Sequence, residues 1–140
     1  MLNKIALISI VLAVLLIDQG VKQVVVRSAQ AENASSFIVV DAYYNQKNAP
    51  TLTVALFLIV VITLQALKAK PYSIIWYALG FILGGGVSNA IDMTLYRAVV
   101  DILRVGDAYI NIADMSIVLG VIIFCVQKIK EFKLLANNSH

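Results

Sequence analysis

The sequence predicts an all-α integral membrane fold of four transmembrane helices, with a small extracytoplasmic cradle of β-strands. Of the 140 residues, 61% are hydrophobic and only 14% are charged, and the mean hydropathy is +0.88. These values lie far outside the usual range of a soluble domain. Four apolar segments are each long enough to cross about 30 Å of hydrocarbon as a helix. Between the first two segments, a stretch rich in β-branched and aromatic residues predicts the strands.

The four predicted spans belong to one domain that covers residues 1–140. They lie at about residues 5–26, 51–67, 72–91 and 108–127. The second and third spans are separated only by the polar sequence KAKP, which indicates a tight turn between antiparallel helices.

The first span resembles a cleavable signal peptide, because Lys4 precedes its apolar core and the small-residue motif AQA follows at residues 29–31. However, the charged residues Asp18 and Lys22 lie between the apolar core and AQA, and AQA is too far from the core to serve as its cleavage site. The segment is therefore predicted to remain in the protein as a helix.

The distribution of charged residues predicts the orientation in the membrane. Six lysines and a single acid, Glu131, fall on one side of the predicted spans, whereas the other five cations and seven acids fall on the opposite side or at its helix ends. The positive-inside rule places both termini in the cytoplasm. Two segments then lie outside: residues 27–50, which contain the strand-like FIVVDAYYN, and residues 92–107.

Several function classes are disfavoured by composition. The net charge is +3, but the basic residues are scattered among apolar runs rather than gathered on one polar face, so no nucleic-acid partner is expected. The single cysteine, Cys125, excludes both an internal disulfide framework and a cysteine metal cluster. Membrane lipid is the expected environment, no cofactor or metal is expected, and a monomer is favoured.

Three pairs of polar residues stand at helical spacing within or beside the apolar segments. The pairs are Asp18 with Lys22, Asn89 with Asp92, and Asn111 with Asp114. Residues three or four apart share a helix face, so Asp18 and Lys22 are expected to pair and to meet another helix. Taken singly, each pair also has a plain structural explanation, because Asn and Asp cap helices and side chains near a helix end reach headgroup water.

Taken together, these polar residues favour a functional site. Asp18, Asn89, Asp92, Asp101 and Asp114 are all predicted near the same outer interface, on at least three helices. An ionisable group at membrane depth costs a few kcal/mol and normally faces a protein interior, so these side chains are expected to converge. Two carboxyls brought together in a low-dielectric site share a proton, which leaves one as base and one as acid around a water molecule. Aspartic peptidases use this arrangement.

Five sequence blocks resemble, in order and largely in spacing, the signature blocks of the lipoprotein signal peptidases, the signal peptidase II family. They are DQGVK, NAP, GGGVSNAID, VVDIL and NIADMSIVLG. The resemblance implies a four-helix inner-membrane aspartyl peptidase that cuts the signal peptide from prolipoproteins before a diacylglyceryl-modified Cys. By position, it makes Asp101 and Asp114 the catalytic pair. The supporting or substrate-binding positions that it implies are Asp18, Lys22, Asn48, Asn89, Asp92 and Asn111.

The chain departs from the family pattern at a few places that concern substrate handling. Met93 stands where the family has Arg, with Arg97 four residues further on; Pro50 replaces a family Gly, and the segment from Asp101 to Asp114 is short. A divergent enzyme and a paralogue that binds signal helices without cutting them both fit. A small transport or proton-relay subunit is a further alternative, although relays run through the membrane depth and these polar residues cluster at one end.

Overall fold

The computed structural model describes residues 2–31, 43–45, 60, 64, 73–105 and 108–137. Three helices account for most of them: α1 (Leu2–Ala31), α2 (Ile75–Tyr96) and α3 (Ile112–Asn137). Each contains a stretch long and apolar enough to cross a membrane. The span predicted at residues 51–67 lies outside the described residues, apart from Val60 and Leu64, which are both helical.

The second helix, α2, lies between the other two and packs against both, whereas α1 and α3 touch each other far less. Ile75, Leu79 and Ile82 on α2 form the centre of the apolar core. The outward faces of the helices are apolar and exposed, with Leu16 on α1 and Val118 on α3 as examples. Such surfaces suit a hydrocarbon environment, in which apolar side chains need no protein cover.

Two adjacent glycines allow α2 to approach both neighbouring helices. A Cβ added at Gly84 would lie 2.8 Å from the Val14 Cβ on α1, and one at Gly85 would overlap the Ala113 carbonyl oxygen on α3. Small residues at such positions let helix backbones come close in membranes, where van der Waals contact drives association. Packing explains these two glycines without any role in binding.

In the part of the chain that the structure describes, four short strands lie at the polar end of the helices. In the first antiparallel pair, β1 (Tyr43–Asn45) adjoins β2 (Val99–Asp101), with Tyr43 opposite Asp101. In the second, β3 (Leu103–Val105) adjoins β4 (Ala108–Ile110) as a hairpin, with Leu103 opposite Ile110.

The structure corrects two predicted helix boundaries. Residues 92–96 were expected outside the membrane spans but continue α2, because Asp92 is neutralised by partners on other elements and its charge therefore does not end the helix. Residues 108–110 were expected to begin the last span but form β4, and α3 begins at Ile112. The sequence AYINIAD is as apolar as the helix that follows it, so hydropathy could not mark this boundary.

We expect Gly85→Ala to destabilise the fold by about 1–3 kcal/mol, because its methyl group would push the first turn of α3 away from α2. The midpoint of thermal unfolding in detergent measures this effect. Gly20→Ala is the matched control, since a Cβ there meets nothing within 4 Å. Equal midpoints for the two variants would show that the close contact at Gly85 is unimportant.

Candidate active site

A buried ion cluster joins α1 to α2. The Lys22 Nζ lies 2.6 Å from Asp18 Oδ2 and 2.7 Å from Asp92 Oδ2, and it also donates to Asn89 Oδ1 at 3.3 Å. The side chains of all three charged residues are at most 3% exposed. Three acceptors match the three protons of an ammonium group, and buried charges persist only when paired in this way.

Neutral side chains complete the hydrogen bonding of the two carboxylates. The Ser88 hydroxyl donates to Asp18 Oδ2 at 2.6 Å, and the Gln19 amide donates to Asp92 Oδ1 at 2.8 Å. Gln19 also donates to the Ser88 hydroxyl at 2.9 Å, so the two neutral groups are themselves linked. Sequence reasoning missed both residues, although Gln19 lies three residues before Lys22 and Ser88 lies four before Asp92, on the same helix faces.

The same two carboxylates also bind backbone groups. Asp18 Oδ1 accepts a hydrogen bond from the Ala113 N–H at 2.8 Å, and Asp92 Oδ2 accepts one from the Val100 N–H at 3.1 Å. Ala113 is in the first turn of α3, and Val100 is in the middle of β2. The ion cluster therefore forms hydrogen bonds with both β2, which carries Asp101, and α3, which carries Asp114.

A second network of side-chain amides links the two predicted catalytic carboxyls. The Asn111 amide donates to Asp101 Oδ1 at 2.8 Å, to Asn89 Oδ1 at 3.1 Å and to the Val100 carbonyl at 3.3 Å. The Asn89 amide in turn donates to Asp114 Oδ1 at 2.8 Å. Asp101 is fully buried and Asp114 half-buried. Two asparagines thus connect a carboxyl on β2 to a carboxyl on α3.

Local structure explains why the Asn111 side chain can contact both β2 and the start of α3. It follows β4 directly and caps α3, where its side-chain oxygen accepts the Asp114 N–H at 2.8 Å. The hairpin of β3 and β4 returns the chain to its starting point, and the Ile102 N–H donates to the Ile110 carbonyl at its base. Asp101, just before the hairpin, is thereby brought beside Asn111, just after it.

The structure brings together seven of the eight site residues named from the sequence. They are Asp18, Lys22, Asn89, Asp92, Asp101, Asn111 and Asp114. Asn48 lies outside the described residues. Arg97 is exposed in the left-handed backbone region (φ 56°), where its N–H ends α2 by donating to the Met93 carbonyl.

Fold and site together define a multi-pass membrane protein with a buried centre of carboxyl and amide groups. Residues 10–130 match the family described as Signal peptidase (SPase) II. The chain therefore belongs to the signal peptidase II family and is a membrane peptidase, which confirms the resemblance seen in its sequence blocks.

Comparisons with individual proteins agree with this family assignment. The "Lipoprotein signal peptidase" of Listeria monocytogenes serovar 1/2a is 31% identical over 137 residues, covering 84% of this chain and 88% of the relative. The protein of that name from Oleidesulfovibrio alaskensis is 35% identical over 77 residues, covering 51% of this chain and 47% of the relative. A solved "Bacterial membrane enzyme" structure matches with a TM-score of 0.69 and 22% identity, over 90% of this chain and 88% of that one. That match shows a shared fold.

Removing the Asn111 side chain should lower the free energy of unfolding by about 2–3 kcal/mol. Asn111→Ala deletes the cap of α3 and leaves the buried Asp101 without its amide donor. Unfolding in mixed micelles measures the change. The comparison is Thr94→Ala, whose exposed hydroxyl bonds only within its own helix and whose loss should cost less than about 0.5 kcal/mol. Similar losses for both variants would contradict this account.

Proposed function

We propose that this chain is an aspartic endopeptidase that removes signal peptides from lipid-modified prolipoproteins, cutting before the diacylglyceryl-modified Cys. Asp101 and Asp114 are the proposed catalytic pair. The observation that carries the proposal is the amide bridge between these two carboxyls, through Asn111 and Asn89, in a member of the signal peptidase II family.

In the proposed reaction, the two carboxyls act on a water molecule and a peptide bond. One carboxylate takes a proton from water as the water oxygen attacks the scissile carbonyl carbon, and the other carboxyl gives a proton to the leaving amine as the C–N bond breaks. The nucleophile is water, so no covalent acyl intermediate forms. This scheme needs one of the two carboxyls ionised and the other protonated when the substrate binds.

The two asparagines serve as holders of the carboxyls in this proposal. Each donates an amide proton to one carboxyl oxygen, at 2.8 Å in both cases. A carboxyl fixed in this way keeps its second oxygen in a constant direction, which general acid–base catalysis requires. Asn48 is proposed as a further member of the site, on the resemblance alone.

We further propose that an exposed apolar face of α2 contacts part of the lipid-modified helical substrate. Val87, Ala90 and Leu95 help to line an open apolar hollow on α2, the helix that also carries Asn89 and Asp92. An apolar wall of this kind can accept a signal helix or an acyl chain. The proposed architecture adds a fourth span at residues 51–67, within one domain of residues 1–140, and a cradle formed by β1 beside Asp101.

Asp101→Asn and Asp114→Asn should each reduce cleavage of a diacylated prolipoprotein by about 100-fold or more, since an amide can neither give nor take the proton. A gel-shift assay in detergent gives the rates, and thermal unfolding checks that each variant is folded. The matched control is Glu131→Gln, which neutralises a half-exposed carboxyl at the far end of α3. A folded parent that fails to cut would contradict the peptidase proposal and favour a paralogue that only binds signal helices.

We also propose that the chain lies in the bacterial inner membrane, with both termini on the cytoplasmic side and the active site near the periplasmic or outer face. The supporting observation is the charge distribution along α3, which carries Lys128, Lys130 and Lys133 in its C-terminal half, opposite the end that holds Asp114. Lysine-rich ends of membrane helices remain on the cytoplasmic side.

Thiol labelling tests this orientation. Arg97 and Lys133 are both exposed and lie at opposite ends of the helices, so each is replaced by Cys in a Cys125→Ser background. A membrane-impermeant reagent should modify the cysteine at position 97 in spheroplasts and the one at position 133 only after permeabilisation. The reverse pattern would overturn the proposed orientation.

A further inference from the structure

Two backbone N–H groups connect the buried ion cluster to the proposed catalytic pair. The Ala113 N–H is held by Asp18 at 2.8 Å, and the Val100 N–H is held by Asp92 at 3.1 Å. Ala113 immediately precedes Asp114, and Val100 immediately precedes Asp101. Each supporting carboxylate therefore fixes the backbone one residue before a proposed catalytic carboxyl.

Lys22 joins these two supports. Its ammonium lies 2.6 Å from the carboxylate that holds Ala113 and 2.7 Å from the one that holds Val100. Ser88 and Gln19 also connect Asp18 to Asp92, through hydrogen bonds between neutral groups and the two carboxylates. Within the described residues, Lys22 makes the only ionic connection between the two carboxylates. Charge-assisted hydrogen bonds are shorter and about twice as strong as neutral ones, so the ionic path sets the spacing.

We propose that Lys22 is a positioning residue that sets the separation of Asp101 and Asp114, by linking through Asp92 and Asp18 the backbone N–H groups that precede them. This inference rests on the proposed function. Without the ammonium, the two buried carboxyls would lose the cation that binds both of them. Whether they repel each other or share a proton, the spacing between β2 and the start of α3 would change. A displacement of about 1 Å in a catalytic group can cost about 100-fold in rate.

The consequence for kinetics is specific, because Lys22 is only 2% exposed and cannot contact substrate. Lys22→Met should lower kcat by about 100-fold per folded molecule and leave KM within about threefold of the parent value. The assay is cleavage of a diacylated prolipoprotein in detergent, with the folded fraction measured by thermal unfolding in the same micelles. Lys128→Met is the matched control, since that lysine belongs to a half-exposed pair with Glu131 and should leave kcat and KM unchanged.

A role in folding alone predicts a different result. In that case Lys22→Met would lower the unfolding temperature, yet each folded molecule would retain the parent kcat, and the positioning role would be overturned.

A second variant decides the matter if Lys22→Met does not accumulate as folded protein. Asp92→Asn removes one of the two negative charges around Lys22 and leaves Asp18 and Lys22 as a neutral pair, while the new amide nitrogen no longer accepts from Gln19. Its side-chain oxygen can still accept the Val100 N–H, but the ionic link to Lys22 becomes a neutral one. We expect kcat to fall about tenfold with KM unchanged, and an unchanged kcat in this folded variant would overturn the proposal.

The parent enzyme separates failure of this inference from failure of the proposed function. A parent that cuts, together with variants whose kcat is unchanged, rejects the positioning role alone. A folded parent that does not cut rejects the peptidase function and, with it, the positioning role that depends on it.

Discussion

The site depends on one ammonium group that holds two carboxylates in a part of the protein that excludes water. Lys22 lies within hydrogen-bond distance of both Asp18 and Asp92, and all three are almost completely buried. Removing either sign of charge would leave the other uncompensated, at a cost of several kcal/mol. Because the paired groups come from α1 and α2, the same interaction that neutralises the charges also fixes the register of two membrane helices at their polar end.

The carboxylates serve a second purpose where regular backbone hydrogen bonding stops. The first turn of a helix has N–H groups without partners, and hydrocarbon cannot supply acceptors for them. At the start of α3, Asp18 and Asn111 accept two such groups, and Asp92 accepts one from β2. These three N–H groups of irregular backbone are thus paired beside the buried centre, and that backbone is what carries Asp101 and the cap of α3.

Much of this arrangement could be predicted from the sequence. Hydropathy located the three described helices, and helical spacing indicated that Asp18 and Lys22 pair and meet another helix. The strands between residues 99 and 110 were missed, because short apolar strands next to a membrane helix have no distinct periodicity. Gln19 and Ser88 were missed for a different reason: single neutral side chains carry no charge that demands a partner, so only the folded contacts reveal them. The sequence could name Asp101 and Asp114 but could not show that two asparagines lie between them.

Because β3 and β4 form a hairpin, the relative position of Asp101 and Asp114 does not depend on the length of chain between them. Its base is closed by the Ile102 contact with Ile110 and by the Asn111 contact with Asp101. Residues added or removed in opposing pairs at the tip leave that base unaltered. Related proteins could therefore evolve longer or shorter hairpins here without any adjustment of the two aspartates at the base.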